Sequence, residues 1–455
     1  MELQSPQQNR QPNPQENLQG NSVRIDWPDG RTERARLEPI GKSGGSGEVF
    51  AIQGRPDWVA KIYHTTIAKA QRTQYERKIQ WMVRNRPVLP EIPPEHKGIV
   101  QLAWPAGVVR KDAGFAGFVM EKIDFTRTME LDYLLTRRQA AAEGFDADFG
   151  KLVTICRNLA ALLHCLHSKK IAVVDLKPIN LKVYKSELYV SILDCDGFHI
   201  TSDSFVSDAP QVTPEYLAPE FQDRAVANPA AQDAFALATI IFRLLNYGIH
   251  PYAGIALARA GFPPELAGRI RLGLYPYGRA QMPSTSTAHS HRARHPAQAL
   301  RPAPASVHEA LPDDLRELFD RAFAATGGRR PSALEWTESL GTYASRNSPS
   351  MSRCAHSHLQ FAGKPCATCL REGILRGHVE RRRRFVARLQ ATPARAVQYV
   401  RKTLRGTHSS PFQAALAQGQ FQLVQLAPVT LPLRHVLSIE IVWTIGLGVT
   451  YWWLK

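Results

Sequence analysis

A short polar loop constrains this chain more than any other part of its sequence. Within the stretch 174–180, Asp175 is followed two residues later by Lys177 and five residues later by Asn180. Fourteen residues further on, after an apolar run, comes Asp194. Phosphoryl transfer from a nucleotide requires a carboxylate that orients a hydroxyl, a cation on the γ-phosphate and oxygen ligands for Mg²⁺. For this loop alone, a polar β-hairpin with coincidental spacing is the better interpretation, so the surrounding sequence has to decide.

A glycine-rich stretch lies upstream, between two apolar runs. It spans residues 40–50 and contains Gly41, Gly44, Gly45 and Gly47. Glycines allow a backbone to close over phosphates with its N–H groups pointing inward, because no Cβ intervenes. The stretch predicts a hairpin turn over a nucleotide, with a plain flexible hairpin as the alternative.

One lysine, Lys61, lies within the strand-like run 59–63. A lysine in such a run is usually an edge or surface residue. Its alternative role is to contact the α- and β-phosphates, with a carboxylate holding the ammonium group in place. We predict that this carboxylate is Glu76, in the helical-looking segment 67–83.

These motifs together resemble those of a eukaryotic-type protein kinase domain. V-A-K-I around Lys61 resembles the lysine motif of that family, D-L-K-P-x-N the catalytic loop, and I-L-D ending at Asp194 the approach to the metal-binding aspartate. The family's A-P-E glutamate, central-helix aspartate and late arginine are matched by Glu220, Asp233 and Arg330. The resemblance covers residues 35–343 and implies an α+β, two-lobed protein-kinase fold, with a small β-rich N-lobe and a larger helical C-lobe.

The resemblance implies a catalytic role for four residues. Asp175 would orient the acceptor hydroxyl, and Lys177 would contact the γ-phosphate of ATP. Asn180 and Asp194 would hold Mg²⁺ or Mn²⁺. The acceptor it implies is a serine or threonine of a protein substrate.

The resemblance also implies a nucleotide site. Lys61, fixed by Glu76, would place the α- and β-phosphates beneath the glycine-rich turn. The adenine would lie against two small apolar side chains and bond to the linker that follows a strand-like run. These residues are Val49, Ala60, Met120, Glu121 and Ile123.

The chain departs from the family pattern at three places. Val173 and Val174 replace the usual His-Arg pair before Asp175, so a phosphate on the activation segment loses its usual receiver and the enzyme would be of the non-RD type. The expected D-F-G reads D-C-D, with Asp196 in place of the glycine, either as a second metal ligand or as the cap of a turn. The glycine-rich loop is one residue longer than usual.

With a Cys/His cluster after the kinase-like region, these departures resemble a divergent bacterial kinase group. Members of that group are often encoded beside a phosphatase and a von Willebrand-type domain protein, which are the partners implied. Two functions therefore compete. One is an active kinase, since every catalytic residue is present, and the other is a nucleotide-binding pseudokinase scaffold that acts through protein–protein contacts.

Three residues matched to the family have a structural interpretation. We predict that Glu220 pairs with Arg330 and that Asp233 binds backbone amides, as buried devices of the fold. Their substitution would then impair folding and say little about chemistry.

A second site is predicted by five residues that follow the kinase-like region. Cys366 and Cys369 form a C-x-x-C pair, and Cys354 precedes it together with His356 and His358. Two ligand pairs joined by a short loop are typical of a tetrahedral Zn²⁺ site, here Cys₃His with one of the two histidines. Four protein ligands make such a site closed and structural. The alternative is free thiols on a linker.

The chain has a net charge of +17, which raises the question of nucleic acid or an anionic membrane. Much of the excess is local: residues 278–308 predict a flexible basic insertion, and a second basic cluster begins at residues 381–384. Without an RNA-binding aromatic motif or a helix-turn-helix signature, a solvated basic face is favoured over nucleic-acid contact.

Composition also predicts the segments of the chain. Residues 1–22 predict a disordered tail and lack the features of a signal peptide, which favours a cytoplasmic kinase. The apolar run 436–454, within a hydrophobic segment 431–455, suits either an anchor to the inner face of the membrane or a buried hairpin. The remaining predicted segments are the N-lobe with its linker at 23–123, the C-lobe at 124–343, a zinc knuckle at 350–375 and a basic helical region at 376–430.

Overall fold

A computed structural model describes residues 22–43, 45–112, 114–202, 205–209, 212–256, 263–278, 300–323, 329–344 and 347–391. The chain divides into two compact units, Met1–Glu372 and Gly373–Lys455. The predicted N-terminal tail up to residue 21, most of the basic insertion, the basic region beyond residue 391 and the hydrophobic segment 431–455 lie outside the described residues.

Six strands and one helix form a β-rich N-terminal region. The strands are β1 Ser22–Asp26, β2 Thr32–Ser43, β3 Gly47–Ile52, β4 Arg55–Tyr63, β5 Pro105–Lys111 and β6 Gly114–Glu121. They close into a barrel in the order β1-β2-β3-β4-β6-β5. Alternate residues point inward, so Ile25, Ala60 and Val119 are fully buried in its core. Helix α1, Lys69–Arg84, lies between β4 and β5 in sequence and packs on β5.

The predicted glycine-rich turn is a hairpin that joins β2 to β3, with Ser43 opposite Glu48. Gly47 must be a glycine, because a Cβ there would clash with the carbonyl oxygen of Ile62 on β4. Gly41 has a φ of 70°, and a bulge shifts the register between Pro39 and Lys42. Gly44 lies outside the described residues.

The following region is largely helical. Its elements up to the site are β7 Thr128–Glu130, α2 Arg137–Ala142, α3 Phe149–Ser168, β8 Ile171–Ala172, β9 Leu181–Tyr184, β10 Val190–Ile192, β11 His199–Ser202 and β12 Phe205–Ser207. Beyond the site come α4 Pro229–Leu245, β13 Gly254–Ala256, α5 Leu266–Arg271, β14 Leu300–Pro302, α6 Asp313–Phe323 and α7 Ala333–Ala344. The mixed α/β architecture, β-rich first and helical second, is compatible with the predicted two-lobed fold.

Helix α3 is the central helix of this region. It begins at Asp148, whose carboxylate accepts the backbone N–H of Lys151 at 2.9 Å, and it packs against α7. Among the described residues it is the one helix long and apolar enough to cross a membrane, but 67% of its apolar window is buried inside the protein. Its apolar length is therefore that of a core helix.

One predicted boundary is wrong. The basic insertion was expected to run to residue 308, but β14 pairs with β13, and Val307 and His308 are buried. The fold therefore resumes by residue 300, because the apolar residues of this short stretch have a core to enter. The boundary expected at residue 375 lies close to the division between Glu372 and Gly373, although one helix, α8 Ala367–Ala391, is continuous across both positions.

The Cys/His segment begins with a hairpin of β15, Met351–Arg353, and β16, Leu359–Phe361. Phe361 is buried, with its ring 5.9 Å from that of Phe149 on α3 and 5.2 Å from that of Tyr343 on α7. Lys364 pairs with Asp313 at the start of α6. The segment is thus packed on the helical region.

Candidate active site

The predicted catalytic residues lie on two loops that follow short strands. The loop between β8 and β9 carries Asp175, Lys177 and Asn180, and the turn after β10 carries Asp194. The two loops are tied together by a backbone hydrogen bond from Leu193 N to Asn180 O at 2.9 Å. The side-chain amide of Asn180 donates to the Asp175 carbonyl at 3.3 Å. All four residues therefore lie in one place.

A hydroxyl lies between Asp175 and Lys177. The Lys177 ammonium is 2.7 Å from one Asp175 carboxylate oxygen. Thr213 donates its hydroxyl to the other oxygen at 2.6 Å and accepts from Lys177 at 3.0 Å. Thr213 was not predicted as a site residue, although its place before the Pro214-Glu215 segment was a signal available in the sequence. The loop thus already holds an aliphatic hydroxyl against a carboxylate and an ammonium group.

The backbone before Asp175 is strained. Val174 has a φ of 65°, a left-handed conformation that is a genuine outlier for a β-branched residue and costs about 1–3 kcal/mol. The fully buried carboxylate of Asp233 accepts the backbone N–H groups of Val173 and Val174, both at 2.7 Å. Gln232 donates to the Val174 carbonyl at 3.2 Å. These contacts hold the loop in place, and the predicted pairing of Asp233 with backbone amides is confirmed.

The predicted pairing of Glu220 with Arg330 is also observed. Two hydrogen bonds join the guanidinium to the carboxylate, one of them at 2.7 Å. The Arg330 side chain is 14% exposed and the Glu220 side chain 41% exposed, so the pair forms as predicted but is only partly buried.

Lys61 contacts the second aspartate of the D-C-D segment. Its Nζ is 2.8 and 3.0 Å from the two carboxylate oxygens of Asp196 and 3.3 Å from one oxygen of Asp194. Tyr63, two residues along the same strand and therefore on the same face, donates its hydroxyl to Asp196 at 2.9 Å. Burial lowers the pKa of Lys61, but the charges of Asp196 and Asp194 outweigh it, and the pKa is raised above its usual value.

The predicted pair between Lys61 and Glu76 is wrong. The Glu76 carboxylate lies 2.9 Å from the guanidinium of Arg110 on β5 and accepts from Gln80. Asp196 occupies the place of the expected carboxylate, a role that the sequence analysis did not foresee for it. Both of its oxygens are bound by Lys61 and Tyr63, and only 5% of its side chain is exposed.

The phase of α1 explains the error. Its buried face carries Ile79 and Met82, and Tyr75 stacks on Tyr63 with ring centroids 4.7 Å apart. Lys78 lies on this face and is 2% exposed. Residues two apart in a helix lie on nearly opposite sides, so Glu76 points elsewhere when Lys78 points inward.

Lys78 is a buried cation. Burial lowers its pKa to about 8, and attraction to Asp196 and Asp208 offsets only part of this effect. A buried ammonium group without a close anion is costly, since desolvation favours the neutral form. The helix thus turns a cation, and no carboxylate, toward Asp196.

The predicted adenine-contacting residues lie on three neighbouring strands of the barrel, β3, β4 and β6, and on the linker that follows β6. Ala60 on β4 is fully buried and Val49 on β3 is half-buried. In the linker, Ile123 is buried, and Met120 and Glu121 end β6. Glu121 pairs with Arg86 at 2.6 Å. The N–H of Lys122 donates to the Asp57 carbonyl, so this amide is engaged within the protein.

The donors near the turn after β10 fit a magnesium ion. The Asp194 side chain is 66% exposed, and one of its oxygens is 3.3 Å from Lys61. Its backbone is left-handed, with a φ of 53°. A carboxylate together with the Asn180 amide oxygen is a set of hard oxygen ligands of the kind Mg²⁺ prefers.

The Cys/His cluster is assembled. The ligand atoms of Cys354, His358, Cys366 and Cys369 all lie within 4.8 Å of one another. Cys354 Sγ is 3.7 Å from Cys369 Sγ, and sulfur atoms 2.3 Å from a tetrahedral Zn²⁺ would be about 3.8 Å apart. Of the two candidate histidines, His358 belongs to the group. His356 contacts Cys369 at 3.4 Å but lies outside it. The donor set is compatible with zinc.

Comparison with known proteins supports a kinase-like relationship. No family model matches the chain. It is 26% identical over 314 residues to "Protein kinase YegI" of Escherichia coli O157:H7, and 24% identical over 321 residues to the protein of the same name from Escherichia coli strain K12. The matches cover 66% and 68% of this chain but only 43% and 45% of the relatives. The chain therefore spans less than half the length of these relatives.

Proposed function

We propose that the chain is a protein kinase that transfers the γ-phosphate of ATP to serine or threonine hydroxyls of a protein substrate. The observation that carries this proposal is the arrangement of Asp175 and Lys177 around the Thr213 hydroxyl, beside Asn180 and Asp194. The relationship to proteins named protein kinase supports it independently.

In this mechanism Asp175 accepts a hydrogen bond from the acceptor hydroxyl and takes up its proton as the phosphate is transferred. Lys177 lies 2.7 Å from Asp175, close enough to steady its charge and to neutralise a phosphate oxygen. Asp194 and Asn180 would hold Mg²⁺, which supplies charge neutralisation at the phosphate oxygens. Most of the rate enhancement would come from positioning and electrostatics.

The preference for serine or threonine rests on Thr213. Its hydroxyl, on a short β-branched side chain, fits between Asp175 and Lys177 at 2.6 and 3.0 Å. A substrate serine or threonine that displaces Thr213 would place its own hydroxyl within hydrogen-bond distance of the Asp175 carboxylate.

The enzyme is of the non-RD type in this proposal. Val174 stands where the family has an arginine, and Asp233 and Gln232 fix the loop from behind. The catalytic loop would thus be held in shape without a phosphorylated activation segment.

Zinc would be structural. Cys354, His358, Cys366 and Cys369 supply four ligands and leave no open position. The ion would join the β15–β16 hairpin to the start of α8, on a segment that packs against α3 through Phe361.

A nucleotide-binding scaffold remains the second candidate. The observation that favours it is again Thr213, because the chain's own hydroxyl occupies the place of the acceptor. A scaffold would retain this contact permanently, whereas an enzyme must release it.

Transfer of labelled γ-phosphate separates the two candidates. The full-length protein is incubated with ATP and Mg²⁺ or Mn²⁺, alone and with a generic serine/threonine substrate, beside the variant Asp194→Ala. The kinase proposal predicts label on serine or threonine that is lost in the variant. Absence of label in wild-type protein that is folded and binds ATP would favour the scaffold.

A further inference from the structure

The carboxylate that holds Lys61 comes from an unexpected element. Asp196 lies in the turn after β10, in the helical region, whereas Lys61 lies on β4 of the barrel. The two are joined by contacts of 2.8 and 3.0 Å, and both side chains are buried. The pair therefore connects the barrel to the helical region, next to Asp194.

Helix α1 has no carboxylate that competes with Asp196 for this role. Glu76 is engaged by Arg110 at 2.9 Å, and Arg110 also binds Asp26 of β1 at 2.8 Å. Lys78 occupies the inward face of the helix, close enough to Asp196 to interact electrostatically. Rotating the helix to bring Glu76 inward would carry Lys78 outward and break the packing of Ile79 and Met82.

Asp196 is also poorly placed to bind a metal. One oxygen accepts from Lys61, the other accepts from Lys61 and Tyr63, and the side chain is 5% exposed. Asp194, two residues away, is 66% exposed and has the accessible oxygen. In the D-C-D segment, Asp196 is therefore placed to hold Lys61, and Asp194 is placed to bind a metal ion.

We propose that Asp196, and not Glu76, is the positioning residue that sets Lys61 for contact with the nucleotide phosphates. This inference rests on the proposed function and deepens it. Tyr63 donates to Asp196 from the same strand as Lys61, so two donors on β4 bind one buried carboxylate. The position of Lys61 is then set by the turn after β10 and does not depend on the orientation of α1.

The test compares matched neutral replacements in the full-length protein. Asp196→Asn and Glu76→Gln each remove one charge and keep the shape of the side chain, and Tyr63→Phe removes one hydrogen bond to Asp196. We expect kcat/KM for ATP to fall about 100-fold in Asp196→Asn, the size typical of a misplaced reacting group. A smaller loss is expected in Tyr63→Phe, and a change within about twofold in Glu76→Gln, since this last variant leaves Lys61 untouched.

Two further measurements separate positioning from a metal or purely structural role. The Mg²⁺ concentration for half-maximal activity should be unchanged in Asp196→Asn, whereas the loss of a metal ligand would raise it. In a Lys61→Met background, Asp196→Asn should cause no further loss, because the group that it positions is gone. An additive loss would overturn the proposal, as would recovery of Asp196→Asn at high Mg²⁺.

Folding and function are kept apart by two controls. Asp196→Asn leaves a buried ammonium group without its main partner, so its fold is checked by circular dichroism and thermal melting. If it does not fold, the losses of kcat/KM for ATP in Tyr63→Phe and Glu76→Gln are compared instead. A larger loss in Glu76→Gln contradicts the proposal. If the wild-type protein transfers no phosphate, the proposed function fails, and ATP affinity measured by calorimetry still ranks the same variants.

Discussion

The loop 174–180 and helix α1 were both predicted to supply active-site residues, and they differ in outcome. Asp175, Lys177 and Asn180 come together as their spacing implied. The helix was also found, at Lys69–Arg84 against a predicted 67–83. Its glutamate, however, turns to Arg110, and its inward face carries Lys78.

The difference has a physical cause. Residues within a seven-residue loop stay close in space because only a short chain joins them, so their spacing in the sequence nearly fixes their contacts. A contact between elements depends on the phase of a helix, where a shift of one residue rotates a side chain by about 100°. Apolar residues set that phase, and Ile79 and Met82 decide which charged neighbours turn inward.

The largest expected effect is at the Cys/His cluster, where residues close in sequence were predicted from their spacing to come together. His358→Ala should lose zinc and lower the free energy of unfolding by about 4 kcal/mol when free zinc is a thousandfold above its dissociation constant. Metal content by atomic emission and denaturant unfolding check both. The matched control is His356→Ala, which should keep one zinc per chain because His356 lies outside the ligand group. Loss of zinc in His356→Ala alone would reverse the assignment.

Asp233→Asn tests whether the loop 174–180 depends on support from outside it. The amide can accept only one of the two backbone N–H groups that the carboxylate now accepts at 2.7 Å. We expect a loss of about 2–3 kcal/mol in the free energy of unfolding, since a buried donor is left unpaired. Unfolding in urea measures it. Wild-type stability in this variant would show that the strained Val174 is held by other contacts.

Lys78→Met tests the inward face of α1. A pKa lowered from 10.5 to about 8 corresponds to about 3 kcal/mol at 1.36 kcal/mol per unit, so the variant should be more stable by up to this amount at pH 7. Below pH 8 the lysine is charged in both the folded and the unfolded protein, and the penalty of burying the charge is fully present. Between pH 8 and 10.5 the folded protein alone releases the proton, so the stability of the wild type rises toward that of the variant.

The groups that Lys78 senses from neighbouring elements are Asp196, Asp208 and Lys61. Thermal unfolding from pH 6.5 to 10 of wild type and Lys78→Met measures the convergence. Parallel curves across this range would mean that Lys78 reaches solvent or finds a partner.

Glu76→Gln should have the smallest effect. The pair with Arg110 is partly exposed, with side-chain exposures of 29% and 19%, and ion pairs of this kind contribute less than about 1 kcal/mol. Denaturant unfolding should detect little change. A loss of several kcal/mol would place Glu76 in a buried network and weaken the contrast between helix and loop.

Much of the fold and site follows from the sequence, with instructive exceptions. The glycine-rich hairpin, the strand with Lys61 and the clustered cysteines Cys354, Cys366 and Cys369 were found from local patterns. The contact between Asp196 and Lys61 was not predicted. Both interpretations of Asp196 considered only its own turn, whereas its partner is 135 residues away in the sequence. The choice of His358 over His356 depended on the β15–β16 hairpin, which spacing alone did not define.

The most direct test of the proposed chemistry is single-turnover transfer in full-length Asp175→Asn beside wild type, with ATP affinity measured on the same samples. Asparagine keeps the shape of the side chain but cannot take up the proton of the acceptor hydroxyl. The account predicts unchanged ATP affinity and a rate of transfer about 1,000-fold lower. Transfer at the wild-type rate would show that Asp175 is not the residue that orients the acceptor, and would contradict the account.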